Sequence, residues 1–553
     1  MRLALPLVVL SAALPAQITA TIDDSRSHGV LGDANLSLDE AIRLANGSLT
    51  IAQLSPQERA RLSGVSGVIA RILIDASVTP VITLEQVLTD IIGQHHAHVH
   101  VEIEGVPGPA GLPVIDGGNH PIVLPSRTNH AHVRHLVLRG GLVGVDYDTT
   151  LHYHPSVVGE LVNVRVENAR DVAVRVRNPR ANGSQSPIML QGVLLRGSGV
   201  GLEIVDDSQF GNTEVYCEDL VVEDCDVGIA VAIDSAGGDH ILQLLRTAFH
   251  GVDACIAVDR VSATSTSRWR IRCVHGSYRA GDRALELDTT ATGTTTVELH
   301  HLDVHGGIGP TGAALIAGTQ GGQLALVATE CTFTGPVHVA AGTSNSSLRL
   351  HNDRLETGEL VLALSAGTGD VQWTSFTACG IELDPVCTSL AAPITFTECE
   401  MVRSDVNDRS AGRSRLQSCF LGGSVISSNV QNVQPQLTPW MGRATVAPSD
   451  PPVGTFVDAT IDLHPGIAAI WLLGTATADP ITSASPFRFY LDLPTSVVLP
   501  GLHHGYSRLR LPIPSSTSLR GASLYLQPVQ APTQGQPQVP PLYLPIGGAI
   551  VIQ

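Results

Sequence analysis

The chain has 553 residues, too many for one compact core, so it is expected to divide into several units. Its 51 acidic residues outnumber 33 basic ones, every one of them arginine, and the net charge of -18 repels nucleic acid and anionic membrane surfaces. Glycine (54) and proline (34) are abundant, and Val, Ile, Leu and Thr recur in strand-sized runs, which points to β structure.

In chain order, Met1-Arg2, the apolar run from Leu3 to Leu14 and then Pro15-Ala16 have the layout of a secretory signal peptide over residues 1–16. A buried strand is the alternative. The run is too short to span a bilayer, and no other segment has the length or apolarity to do so. The expected location is therefore secreted or cell-envelope associated, where disulfides are permitted.

Residues 17–95 read as an N-terminal cap with short helices. Ser37 and Glu40 form a capping box, Gly47 can close the helix, and Leu38, Ala41, Ile42 and Ala45 share one face. A second box, Ser55 to Glu58, opens another helix, and a third is expected from Thr83 to Ile92.

From 96 to 433 the dominant signal is a repeat whose members share little sequence. Apolar strands open at Val133, Val162, Met189, Val215, Leu242, Trp269, Val297, Leu324, Leu348, Val371 and Ile394, at intervals of 23 to 29 residues. A period of this size with turn residues between strands is the pattern of a solenoid, whose coils bury their inward face only against neighbours. A shift of 27 superposes Val193–Ile204 on Leu220–Val231. It places Leu195, Val222 and Phe249 inward and Arg196, Glu223 and His250 outward.

The stretch Leu36-Ser-Leu-Asp-Glu-Ala-Ile-Arg-Leu-Ala-Asn46-Gly47, followed by Ile115-Asp-Gly-Gly-Asn-His-Pro-Ile122 and Val133 to Gly141, resembles the opening of secreted bacterial right-handed parallel β-helix proteins of the pectin-lyase-like superfamily. The resemblance covers roughly residues 20 to 430. It implies that the first segment is the capping helix and that the second enters the regular coils. It implies a fold and no particular activity, because this fold hosts lyases, hydrolases, epimerases, adhesins and tailspikes.

Residues 434–452 contain five prolines and read as a linker. Runs such as Ala468–Leu473, Phe487–Leu491, Ser523–Gln527 and Ile546–Ile552 then suggest an antiparallel β-sandwich over 453–553. The expected architecture is thus all-β: a right-handed parallel β-helix with short N-terminal capping helices and a C-terminal antiparallel β-sandwich.

Nine cysteines cannot all pair within one chain, and none forms a C-x-x-C motif. Cys379, Cys399 and Cys419, spaced by 20 and 20, could share one stacked slot. Interior thiols are the favoured reading, with Cys217–Cys225 and Cys379–Cys387 the disulfides to check.

Two clusters could carry chemistry. Asn212-Thr-Glu214, Glu223-Asp-Cys-Asp226, Phe249-His-Gly251 and Arg270-Ile-Arg272 follow the order of the four motifs of the polygalacturonase family. That resemblance implies Asp224 and Asp226 as acid and base beside Glu223, His250 as their support and Arg272 as the holder of a sugar carboxylate. Glu214, Phe249 and Arg272 depart from the motifs, and the alternative is a solvated acidic ridge. Lysine as a base is excluded, because the chain has none; Arg175, Arg177 and Arg180 are the arginines considered in that role.

The second cluster is histidine. His96, His98 and His100 alternate along one strand, about 6–7 Å apart, which suits a divalent metal if a third ligand joins. His130, His132, His135, His152 and His154 recur further on. No cofactor is expected apart from such a metal, and exposed polar strand residues are the alternative. The sequence therefore points to a non-catalytic surface, adhesion or polysaccharide-contacting protein. Its alternative is a polysaccharide-degrading enzyme, a hydrolase before a lyase. The expected partner is a polysaccharide or cell-surface glycan, and homo-oligomerisation is left open.

Overall fold

In the computed structural model the strand-sized runs stack in parallel register, coil upon coil, and the architecture is a parallel β-solenoid. The residues described are 18–64, 69–89, 100–122, 130–148, 158–178, 187–206, 212–233, 237–259, 267–289, 293–307 and 311–432, without 320, 342, 344, 398, 411, 418 and 423. Beyond 442 they are 443–447, 456–462, 467–474, 476–482, 488–491, 497–499, 503–504, 506–513, 523–532 and 548–551. The expected signal peptide lies outside them. Among the described residues no helix is long and apolar enough to cross a membrane.

The chain divides into two compact units. The first takes its described residues from Met1–Leu348, Gly358–Thr368 and Ser389–Ala391. Its coils present three faces. The first stacks Ile18–Ile22, Ile69–Asp75, His100–Val106, His130–Arg134, Val158–Val162, Pro187–Gln191 and Glu214–Glu218, then the opening stretches of Asp239–Asp259, Arg268–Thr289 and Thr294–His305. The second stacks Val81–Thr83, Val114–Asp116, Val137–Arg139, Arg165–Glu167, Leu194–Arg196 and Val221–Glu223 before it too passes into the long strands. The third stacks Val143–Asp148, Val172–Asn178, Val200–Asp206 and Val227–Ile233, and continues to Ala313–Thr319 and Val337–Ala341.

Alternation decides which side chains build the core. On the second face the middle slot holds Leu138, Val166, Leu195, Val222, Phe249 and Tyr278, all fully buried, and Phe249 and Tyr278 have ring centroids 4.9 Å apart. The expected inward and outward assignments of Leu195, Val222, Phe249, Arg196, Glu223 and His250 all hold.

Two corners repeat with the same backbone solution. After the first face, His135, Asn163, Gly192, Asp219, Arg246, His275, His301 and Glu330 each take φ between 51° and 61°. After the second, Gly140, Asn168, Gly197, Asp224 and Gly251 take φ between 53° and 68°. A left-handed residue turns the chain sharply, and its N–H then bonds the carbonyl of the next coil: Asn168 to Arg196 at 2.7 Å, Gly197 to Glu223 at 3.0 Å and Asp224 to His250 at 3.0 Å. Gly, Asn and Asp tolerate this conformation best.

Helix α1 (Leu38–Ala45) closes one end of the unit as expected. Glu40 N–H bonds Ser37 Oγ at 3.3 Å and Glu40 Oε2 accepts Ser37 N–H at 2.9 Å. Helix α2 (Pro56–Arg59) repeats the box with Ser55 and Glu58. The third expected helix is not formed over Thr83–Thr89: Val81–Thr83 is a strand and 84–89 are not helical, while 90–92 lie outside the described residues. Thr89 N–H, which a helix would direct to Glu85 O, instead bonds Asp39 Oδ1 at 2.8 Å.

The second unit takes its residues from Arg349–Thr357, Gly369–Thr388 and Ala392–Gln553. Its earlier part is parallel, Asp370–Gln372, Ile394–Thr397 and Ser414–Gln417 stacking on one face. Its later part is antiparallel, as expected. Phe456–Asp462 pairs with Arg443–Ala447 and Tyr506–Pro512, and Ile467–Gly474 pairs with Ser523–Pro532, which pairs with Gly548–Val551. Arg443–Ala447 lies inside the stretch read as linker. Trp471 and Leu526 are fully buried there.

All nine cysteines are buried thiols. Cys217 and Cys273 fill the first-face interior column between Leu190, Leu244 and Leu299, so cysteine serves here as a small apolar residue. Cys217 lies on the first face and Cys225 beyond the second. Cys399 and Cys419 share a slot, whereas Thr374 takes the equivalent place where Cys379 was expected.

Candidate functional site

The outward column of the second face runs Arg139, Glu167, Arg196, Glu223 and His250 in register. Its charges alternate and pair along the stack: Arg139 to Glu167 at 3.6 Å and Arg196 to Glu223 at 3.8 Å. Arg196 also lies 3.4 Å from Asp224. Glu223 and Asp224 therefore share one guanidinium, and His250 follows Glu223 one coil on.

Asp224 does more than sit beside Arg196. It closes the second corner with φ of 53°, and its carboxylate lies over Gly251 on the next coil, with Oδ1 2.7 Å from where a β-carbon would stand. Its side chain is 61% exposed and hence in water. Asp226 is exposed as well, and its carbonyl accepts N–H bonds from Asp253 at 3.0 Å and Ala254 at 3.2 Å.

The four motif-like fragments do not converge. Arg272 lies on the first face, where it faces Glu298 at 3.5 Å, while Glu223 and His250 lie on the second with a corner between. Asn212 Oδ1 accepts the Asp239 N–H at 2.8 Å, and Glu214 Oε2 accepts the Tyr216 hydroxyl at 2.9 Å. The fold accounts for the fragments: His-Gly at 250–251 is an outward residue followed by a corner, and Glu-Asp at 223–224 is the same pair one coil earlier. A corner glycine and a corner aspartate on consecutive coils give the appearance of a motif.

The arginine-base reading is also corrected. Burial works against the charge of Arg175, yet Glu203 at 2.5 Å and the nearby Asp146 hold its guanidinium more firmly protonated than usual. Arg177 pairs in register with Asp148 on the same face, and Arg180 lies outside the described residues.

His96 and His98 lie outside the described residues, as do His152 and His154; His100 opens the strand His100–Val106 in register with His130. His132 Nδ1 is committed to Glu160 Oε2 at 2.6 Å. Among the described residues no group of three or more His, Cys, Asp or Glu side chains is placed to hold a metal ion.

A shallow groove of about 430 Å³ reaches Glu223 of the expected site. Leu112, Asn163, Arg165, Leu194, Asp219 and Glu223 line it, so it follows the first corner and the adjoining second face. Arg165 is exposed, and among the described residues no carboxylate lies within ion-pair distance of it. Leu194 and Val221 give the groove an apolar floor. Of these residues, sequence reasoning singled out only Glu223. The signal for the rest was the corner itself: Asn163, Gly192 and Asp219 follow the first strand of successive coils at spacings of 29 and 27.

No protein-family model matches this chain, and no curated protein matches its sequence.

Proposed function

We propose that the chain is an exported, non-catalytic surface protein that contacts polysaccharide through the groove along Arg165, Leu194 and Asp219. The observation that supports this reading is the use the fold makes of the acids. Asp224 closes a corner, Glu223 pairs with Arg196, and Arg272 lies on another face, so among the described residues these groups already serve the coil, which favours contact with sugar over the paired-carboxylate chemistry of glycoside cleavage. The groove offers what sugar contact needs instead: apolar side chains for C–H faces, carboxylate and amide oxygens for hydroxyls, and the exposed guanidinium of Arg165.

The test is a polysaccharide array probed with the mature protein and with Arg165→Ala, Asp224→Asn and Asp226→Asn variants, reading both retention and released reducing ends. Retention without release, weakened by Arg165→Ala alone, is the expected result. Release that the Asp224→Asn or Asp226→Asn change abolishes would replace the binding reading with the hydrolase one.

A further inference from the structure

The first corner carries titratable groups that neither the groove nor the second-face ion pairs use. Four consecutive coils place Arg246, His275, His301 and Glu330 there, with φ of 53°, 54°, 54° and 57°. The imidazoles of His275 and His301 stack with centroids 4.6 Å apart and planes 11° apart. On one side, His301 Nδ1 lies 3.0 Å from Glu330 Oε2. On the other, His275 follows Arg246, whose guanidinium is held by Glu218 and Asp219 of the preceding coil. His300 stands beside the stack at the end of the first face, half-buried, on the same strand as Glu298 with its partner Arg272.

We infer that this column is an acid-sensitive joint in the solenoid: with His275 neutral the imidazoles stack and keep the corner closed, whereas protonation of His275 loosens it. The charges explain the direction. A charged His275 would stand one coil spacing of about 4.8 Å from the Arg246 guanidinium. Glu330 lies against His301, one coil further on, and opposes that repulsion only weakly, while Glu218 and Asp219 are already engaged with Arg246.

Burial, then His301 and Arg246, hold His275 below its ordinary value of 6.5, and burial holds His300 below it as well, although Glu298 works the other way. A histidine depressed in the folded state binds protons more readily once its surroundings open. The closed corner is thus fully stable above about pH 6.5 and weakens as pH falls through that value. Each coil contacts only its neighbours, so the corner can open while the remaining coils persist.

The experiment is hydrogen exchange on the full chain at pH 7.5 and 5.0, corrected for intrinsic exchange, following the amides of Thr247, Gly276 and Leu302 with those of Gly197 and Asp224 at the second corner as reference. A His275→Asn, His301→Asn variant is compared. Asparagine already occupies this column at Asn163, so the variant retains a residue suited to the turn.

Wild-type protection at the first corner is expected to fall on acidification, by on the order of tenfold per pH unit for one net proton taken up, while the reference amides and the variant stay level. Equal wild-type protection at both pH values, or the same fall in the variant, would overturn the joint. A direct imidazole titration of the wild type supplies a readout free of substitutions: His275 is expected to titrate below His residues of the unfolded chain, and titration at or above them would also overturn it.

Discussion

The carboxylate of Asp224 lies over the α-carbon of Gly251, one coil away, with both residues in left-handed backbone at φ of 53° and 63°. An aspartate that reads as a general acid in the sequence is, in the fold, half of a corner. Asn tolerates that backbone as well as Asp does, whereas a β-branched residue does not. Asp224→Asn is expected to change unfolding stability by less than about 0.5 kcal/mol, and Asp224→Val to cost about 1–2 kcal/mol. Gly251→Ala is expected to cost at least about 1 kcal/mol, from the backbone alone. Denaturant unfolding of the three variants checks the set. An Asp224→Asn loss as large as that of Asp224→Val would mean that the corner depends on the carboxylate charge.

The interior column sets the second prediction. Phe249 is fully buried between Val222 and Tyr278, its ring tilted against the latter with centroids 4.9 Å apart. Phe249→Ala removes a large side chain from a close-packed slot that the stacked strands cannot collapse to fill, at a cost of about 3–5 kcal/mol. Phe249→Leu is expected to cost much less. Thermal unfolding of both variants checks the order, and near-equal midpoints would show that the coil relaxes around the gap.

The thiols give a chemical prediction. Burial raises the thiol pKa of Cys217 and Cys255 strongly and pushes that of Cys273 up to about 12, with a hydrogen bond from Tyr278 opposing the shift. Thiolate is the reactive form, so these groups are inert while the coils are closed. Native protein at pH 8 is expected to resist a thiol-modifying disulfide reagent over hours and to react fully in denaturant. Mass mapping of the modified peptides identifies which thiols respond, and rapid native labelling at Cys273 would contradict its enclosure.

The repeat was legible because inward slots demand apolar residues at fixed spacing whatever their identity. Leu195, Val222 and Phe249 could be aligned without any shared sequence, and the capping boxes at Ser37 and Ser55 could be read from local chemistry alone. The third helix failed where Thr89, whose N–H a helix would direct to Glu85 O, bonds instead to Asp39, 50 residues earlier in the chain. The site was less legible. Asp, Gly and His recur at corners and outward slots for backbone and solubility reasons, so Asp224, His250 and Gly251 imitate a catalytic set. Arg165 and Asp219 meet at the groove because the first corner and the second face, two residues apart in each coil, stack on those of the neighbouring coils, and only the corner spacing hints at this in the sequence.

The ion network at the first face gives the last prediction, an acid limit distinct from the histidine joint. Glu160 accepts from Arg134 Nη2 at 2.6 Å and pairs with His132 Nδ1 at 2.6 Å, while Arg134 also reaches Glu102 at 3.2 Å. Burial works to raise the carboxyl, but the hydrogen bonds from Arg134 and His132 outweigh it and leave Glu160 below its ordinary value of 4.5. A depressed carboxylate contributes stability that is complete above the unfolded value and disappears as pH falls through the folded one. Glu160→Gln is therefore expected to destabilise the protein at pH 7, by a difference that shrinks only as pH falls below 4.5 and through the lowered folded value. The histidine joint, by contrast, sets in already as pH falls below about 6.5. Unfolding midpoints of wild type and Glu160→Gln across pH 3 to 8 separate the two effects. A constant difference at every pH would assign the loss to packing, whereas curves that draw together only as pH falls below 4.5 carry the signature of the carboxylate held between Arg134 and His132.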